Sequence, residues 1–470
     1  MSREINLIKN TFLISLGTIF PKILTILITP ILTAKLTKSE YGQYDLILTI
    51  TSFLMPISTL QISSAAFRFL IIKRNNYKEC IPIISTIYAF VLIISFSVGV
   101  IFSGILFYRI RLIGVAISLY FIFDIILITT QQIFRGLGKN LMFSFSVIIQ
   151  SSTSLILIAL LSGLFIGPNY GITGVMLALM FSRIAPSVFL FFWGEIYKLI
   201  DIKSIKINLL KELIRYSWPM IPNNLAIWAL NLSNRFVIGA ALGIEAVAIY
   251  AVANKMPSIF SSFQSTFTMA WQENASLALE DDDKENYYSK MCDWIYRLLI
   301  GLMSLLIMIT PLLWRILIRG NYSEGYKQVP ILYLGIMFNC LSSTIGGIYI
   351  AHMRTKSVGL TTMYAAIFNI LIDICLVNVI GIWAGSISTL ISFFALWLFR
   401  MIDIQKIQKL NINIKIIVMG LLALSSMCII NYLNLRITNI INIVLSFAII
   451  LIFDKDIICN LIASIGFKRI

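Results

Sequence analysis

Six ionisable side chains stand deep inside long apolar runs: Lys22, Asp124, Arg183, Arg235, Lys255 and Asp373. In hydrocarbon an ionised group costs roughly 2.5–3.5 kcal/mol on insertion scales, so each needs a partner, water or a ligand. Four of these six are cationic. Helical spacing shows what they share a face with. Ser15, Thr18, Lys22, Thr25 and Thr29 form one polar stripe; Asn224, Trp228, Asn231 and Arg235 form another. A third run offers Asn254, Lys255, Ser258, Ser262 and Ser265. Such stripes face protein or water rather than lipid. If the three line one cavity, Lys22, Arg235 and Lys255 make it cationic, and a dry cationic cavity attracts an anion such as phosphate. The same residues also suit buried pairs or hydrogen bonds to carbonyls. Arg183 and Asp124 read as an internal charge pair, with a substrate role as the alternative. Asp373 reads either as another strut or as a coupling site that takes a proton.

Other chemistries find little footing. His352 is the only histidine, so neither a site of paired histidines nor a Ser-His-Asp set can be assembled. No metal site is expected. The six cysteines show no C-x-x-C spacing and read as small core residues. The acidic run from Glu280 to Glu285 reads as a solvated loop. The glycine-rich stretches lack a strand and helix to frame a nucleotide cradle. The three N-x-S sequons carry little weight, because two of them fall in a span or an inner loop.

The elements that must position these residues follow from composition. The chain has 470 residues, 59% hydrophobic and 12% charged, with mean hydropathy +0.91. A soluble domain carries about 25% charge. The apolar residues come in runs of about 20, enough to cross a bilayer core of about 30 Å. About fourteen spans are expected, at residues 11–33, 46–67, 81–107, 112–133, 141–166, 172–193, 218–242, 246–270, 294–318, 329–350, 358–378, 381–399, 416–433 and 438–453. The expected fold class is an all-α integral membrane protein. With the N-terminus inside, the inner connections hold about 24 of the 37 Lys and Arg residues and the outer ones about 7. Both termini are therefore expected to be cytoplasmic. The net charge of +16 reflects this topology rather than nucleic-acid binding.

A faint internal repeat divides the chain. Leu36–Tyr44 and Leu242–Tyr250 match about 206 positions apart, and Gly171–Gly174 echoes Gly381–Gly385 about 210 apart. A repeat of six spans leaves both halves pointing the same way, as in transporters with a central cleft. The expected organisation is a first lobe at 1–196, a basic interfacial linker at 197–217, a second lobe at 218–401, and two further spans with a tail at 402–470.

Several segments carry a resemblance. Pro30–Gly42 resembles the first-loop pattern of polysaccharide flippases of the Wzx type, and Ile133–Lys139 is similar to their loop after span four. Tyr216–Asn224, Asn231–Ile238, Leu242-Gly243 and Ala248–Lys255 resemble the family's second-half signature. The family sits in the superfamily of multidrug, lipid II and polysaccharide exporters. The resemblance implies a bacterial inner-membrane transporter. Its cargo would be an undecaprenyl-diphosphate-linked oligosaccharide repeat unit of O-antigen, capsule or another surface polymer. It implies diphosphate contacts from Lys22, Arg235 and Lys255, with Asn224, Asn231 and Trp228 as further substrate-binding residues. Driving energy would come from an H+ or Na+ gradient, with no cofactor. Expected partners are membrane lipids, a polysaccharide polymerase and a chain-length regulator. One residue departs from the pattern. The family usually has Asp immediately before the Arg, where this chain has Asn234, so no acidic role carries over to it.

Three rival classes fit the span count. A drug or metabolite exporter of the same fold would more often place acids in its cleft. A membrane polymerase needs a substantial outer loop, and no outer connection here exceeds about a dozen residues. A non-transporting scaffold would not need buried charges on three helices.

Overall fold

The computed structural model describes residues 20–74, 76–162, 170–280, 283–411, 413–433 and 435–453. Ser15 and Thr18 of the first polar stripe lie outside them, as does part of the acidic loop. Among the described residues all regular structure is helical. Nine helices are long and apolar enough to cross a membrane, and up to eleven if two bent pairs each count as one span. Side chains such as Ile93, Phe96, Val444 and Leu451 are more than 60% exposed. Apolar surface on that scale suits lipid rather than water. The chain is a multi-pass membrane protein.

Contacts divide it into two units, Met1–Trp228 and Ala229–Ile470. The division falls beyond the basic linker, within the seventh expected span.

The first unit opens with α1 (residues 20–35) and α2 (Lys38–Ser58). Thr37 caps α2: its hydroxyl accepts from the Glu40 amide, and the Glu40 carboxylate accepts from the Thr37 amide. This reciprocal box starts the helix eight residues earlier than apolar content alone suggests. Between α2 and α3 (Ile62–Lys73) the axis bends by 53°. Leu60 and Gln61 adopt φ of 48° and 55° at the bend, a conformation costly for side-chain-bearing residues. α4 (Tyr77–Gly136) is helical throughout, yet Tyr88 and Thr130 share a hydrogen bond at 2.5 Å. A straight helix would hold them about 63 Å apart at 1.5 Å per residue. The chain therefore reverses between them, and 77–101 and 113–136 are two antiparallel spans, as the sequence anticipates. α5 (Asn140–Leu161) and α6 (Tyr170–Phe192) complete this bundle.

The linker helix α7 (Ile207–Ser217) puts Leu213 into the core of this unit and leaves Lys211 and Arg215 exposed. Ser217 Oγ donates to the Leu60 carbonyl at 2.7 Å, and Ser85 Oγ and Thr86 Oγ1 accept from the Asp201 and Lys206 amides. α7 is thus strapped along the first unit.

The seventh expected span is broken. α8 (Ile221–Leu232) and α9 (Asn234–Leu242) meet at Ser233, and the helical path from Ile207 bends by 48° there. The eighth is also interrupted, at Asn254, between α10 (Ile244–Ala253) and α11 (Lys255–Leu277). α12 (Lys284–Leu317), α13 (Ser323–Ala351), α14 (Thr355–Ile380), α15 (Trp383–Ile404), α16 (Ile414–Leu433) and α17 (Arg436–Phe453) follow. α13 is the axis of the second unit, with 72% of its most apolar window buried. α16 and α17 pack against α12 and against each other.

Candidate functional site

The break between α8 and α9 opens a cavity of about 260 Å³ inside the second unit. Helix interruptions free backbone groups that only protein or a wet cavity can satisfy in a membrane. Asn231, Arg235, Tyr250, Asn254, Ser258 and Thr389 supply polar lining, and Leu332, Ile336 and Phe393 close it with apolar surface. Arg235 is 8% exposed, and one guanidinium nitrogen donates to the Asn231 carbonyl at 3.2 Å. That bond reaches back across the break to α8 while the side chain still lines the cavity.

Beside it, Asn234 is 2% exposed. Its amide nitrogen lies 2.9 Å from Tyr250 Oη, 2.8 Å from the Gly385 carbonyl and 2.8 Å from Thr389 Oγ1. An uncharged amide can share two N–H bonds among these acceptors, which a carboxylate could not do. The substitution of Asn for the expected acid thus ties α9 to α10 and α15. The Asn234 carbonyl oxygen has no hydrogen-bond partner among the described residues.

Two further polar side chains on α14 are wholly buried, Asn369 and Asp373. They stand one turn apart on one face. Asn369 accepts from Ser233 Oγ at 3.5 Å, which places it against the break, and its amide nitrogen has no hydrogen-bond partner among the described residues. Neither carboxylate oxygen of Asp373 has a hydrogen-bond partner among the described residues. A buried acid without partners is stable only if protonated, or if a cation joins it.

The other expected residues fall elsewhere. Lys255 begins α11, next to cavity-lining Asn254, but is not among the lining residues itself. Lys22 stands partly buried on α1 in the first unit. Asn224 turns back on its own helix and donates to the Met220 carbonyl at 3.0 Å. Trp228 packs on Phe53 at 4.7 Å between ring centres, and its indole N–H lies 3.1 Å from Ser52 Oγ. Arg183 and Asp124 form an ion pair at 2.5 Å, with Tyr120 beneath the guanidinium at 5.1 Å. Of the three cations grouped by helical spacing, only Arg235 lines this cavity. No group of three or more His, Cys, Asp or Glu residues suited to a metal stands together among the described residues.

Comparison with known proteins adds the family. The profile of a family described as "polysaccharide biosynthesis protein" matches residues 7–271, more than half of the chain and across the broken span. This chain belongs to the polysaccharide biosynthesis protein family. No curated protein matches it in sequence. Among solved structures, the lipid II flippase MurJ in an inward closed conformation aligns at TM-score 0.70 and 17% identity, covering 96% of this chain and 100% of that one. An inward-facing multidrug resistance MATE transporter of the MOP superfamily aligns at 0.66 and 14%, covering 82% and 95%. A MOP superfamily transporter from Pyrococcus furiosus, described as having a binding pocket of reversed polarity, aligns at 0.58 and 11%, covering 85% and 95%. At these identities the likeness is one of fold. This member of the polysaccharide biosynthesis family thus has the all-α membrane architecture of the MOP superfamily.

Tyr250 and Thr389 complete the cavity without having been singled out as site residues. Tyr250 sits within the repeated segment Leu242–Tyr250, which was signal enough. Thr389 is one hydroxyl in an apolar span and gives no such sign.

Proposed function

We infer that this chain flips a lipid-linked oligosaccharide, an undecaprenyl-diphosphate-linked repeat unit, from the cytoplasmic to the outer leaflet of the bacterial inner membrane for surface polysaccharide synthesis. The observation that carries the reading is Arg235, a buried guanidinium lining a polar cavity at a broken span, in a chain of the polysaccharide biosynthesis family. A guanidinium offers a planar fork of donors that matches phosphate oxygens, and in a dry site the attraction is far stronger than in water. Lys22 and Lys255 are proposed as the cations that accompany the diphosphate as it passes. The polyprenyl tail remains in the bilayer while the two units exchange access to either side.

Coupling is assigned to Asp373. Its two carboxylate oxygens and the Asn234 carbonyl oxygen have no hydrogen-bond partner among the described residues, the chemistry of a proton or Na+ site. Occupancy by the ion relieves a buried charge in one conformation, which lets a gradient bias the exchange. Both termini are placed in the cytoplasm, and a polymerase and a chain-length regulator take the flipped unit onward.

Arg235→Ala and Lys22→Ala, each expressed in a strain lacking the chromosomal copy, should abolish surface polysaccharide and accumulate lipid-linked repeat units, with membrane insertion intact. Normal export in both variants refutes the reading. Drug sensitivity with normal polysaccharide would instead favour an exporter.

A further inference from the structure

A second cavity, about 540 Å³, opens at the end of the second unit where α9 meets α10, α14 meets α15, and α13 begins. Its lining shares no residue with the cavity at Arg235. On its wall Glu324, Lys327 and Gln328 share the first turns of α13 at spacings of three and four, so they present one face. Opposite them are Trp383, the first residue of α15, and Tyr432 near the end of α16, with ring centres 6.2 Å apart and inclined at 47°. Glu324 and Lys327 are exposed, and neither forms an ion pair among the described residues. Gln328 is held in place because its Oε1 accepts from Ser386 Oγ.

The lining is unusual for a gap between membrane helices. Two aromatic rings form an inclined platform, the exposed carboxylate of Glu324 and ammonium of Lys327 line the same pocket, and the buried amide of Gln328 is anchored by Ser386. A pyranose ring has one face of C–H groups and a rim of hydroxyls. An aromatic platform covers the first and charged hydrogen-bonding groups read the second. The volume lies within the ordinary range for small-ligand pockets. The charge distribution of the connections puts this end of the unit outside the membrane, since Arg354, Lys356, Lys406 and Lys409 belong to the opposite end.

We propose that the pocket of Trp383, Tyr432, Glu324, Lys327 and Gln328 is an outer-face sugar subsite that holds the glycan of the cargo after its diphosphate has left Arg235. The proposal rests on the flippase reading and refines it: the passage has a lipid-phosphate site at depth and a sugar site at the exit. Binding the sugar outside favours release of the headgroup to the outer leaflet rather than its return.

The test uses the full-length protein in lipid nanodiscs, titrated with undecaprenyl diphosphate, with the lipid-linked repeat unit extracted from source cells, and with the sugar released from that unit by mild acid. Trp383→Ala should weaken the released sugar about tenfold, the loss of one good ring contact, and leave undecaprenyl diphosphate unchanged. Trp383→Phe should recover most of that loss, and Glu324→Gln should weaken the sugar with the fold intact. Arg235→Ala should do the reverse, losing the diphosphate and keeping the sugar. Released sugar that binds Trp383→Ala as well as the parent, or does not bind the parent at all, overturns the subsite. So does Trp383-dependent binding of a protein partner in place of the sugar. Lipid-linked unit that binds through Arg235 but ignores Trp383 removes the subsite and leaves the flippase reading standing. Failure of the parent to bind the lipid-linked unit removes both.

Discussion

Positions about 206 and 210 residues apart serve opposite ends in the two units. In the first, Glu40 accepts from the Gly171 and Ile172 amides with one oxygen and from Thr37 with the other, joining the starts of α2 and α6. In the second, the residues at those offsets are Ala246 and Gly381-Ile382, and they line the cavity of about 540 Å³. The ionised groups divide in the same way. Asp124 and Arg183 satisfy each other in the first unit, whereas Asp373 in the second is buried with neither oxygen hydrogen-bonded. Polar capacity that one half spends on its own framework is kept available in the other.

The contrast can be broken most severely at Asp373. Asp373→Asn keeps the shape and removes the ionisable group, so it should abolish polysaccharide export while insertion and thermal stability stay near those of the parent. Full export would make Asp373 a framework residue like Asp124. Next in size, Arg183→Ala strands a buried carboxylate and should cost about 3–5 kcal/mol, measured by thermal unfolding in detergent. The double variant Asp124→Leu with Arg183→Met should recover most of that loss with export retained. A transport defect that persists in the stabilised double variant would move the pair from framework to mechanism.

Glu40→Ala should cost about 2–3 kcal/mol, since it leaves the Gly171, Ile172 and Thr37 amides without their charged acceptor. Glu40→Gln should cost less. The smallest effect concerns His352, at the C-terminal end of α13. Burial, together with nearby Lys284 and Arg354, holds its pKa below the ordinary 6.5, against a raising contact with Gln408. The folded chain therefore resists protonation of this ring, so its contribution is present at neutral pH and lost as pH falls below about 6.5. His352→Gln should flatten the stability profile below that pH. An unchanged acid limb would place the sensitive group elsewhere.

Much of the fold was legible in the residues. Runs of about 20 apolar residues mark spans because hydrocarbon leaves a backbone no other way to satisfy itself. The reversal within α4 followed from two such runs, 81–107 and 112–133, separated by a short connection. The capping box was also written in Thr37-x-x-Glu40, a spacing that apolar content alone overlooks. The breaks at Ser233 and Asn254 were hidden, because hydropathy averages across a kink.

What the sequence determined by itself is the membrane class, the approximate spans, and the short set of ionisable residues that hydrocarbon would not tolerate without cause. All of these depend on one-dimensional quantities: run length, charge spacing and helical period. Only the tertiary structure decided how those residues sort. It spent Arg183 on Asp124, turned Asn224 onto its own helix and Trp228 onto Phe53, and placed Arg235 in a cavity with Tyr250 and Thr389 from other helices. It also left Asp373 with unbonded oxygens. Whether a buried charge is satisfied depends on which atoms lie within about 3 Å, and helix packing alone sets that distance.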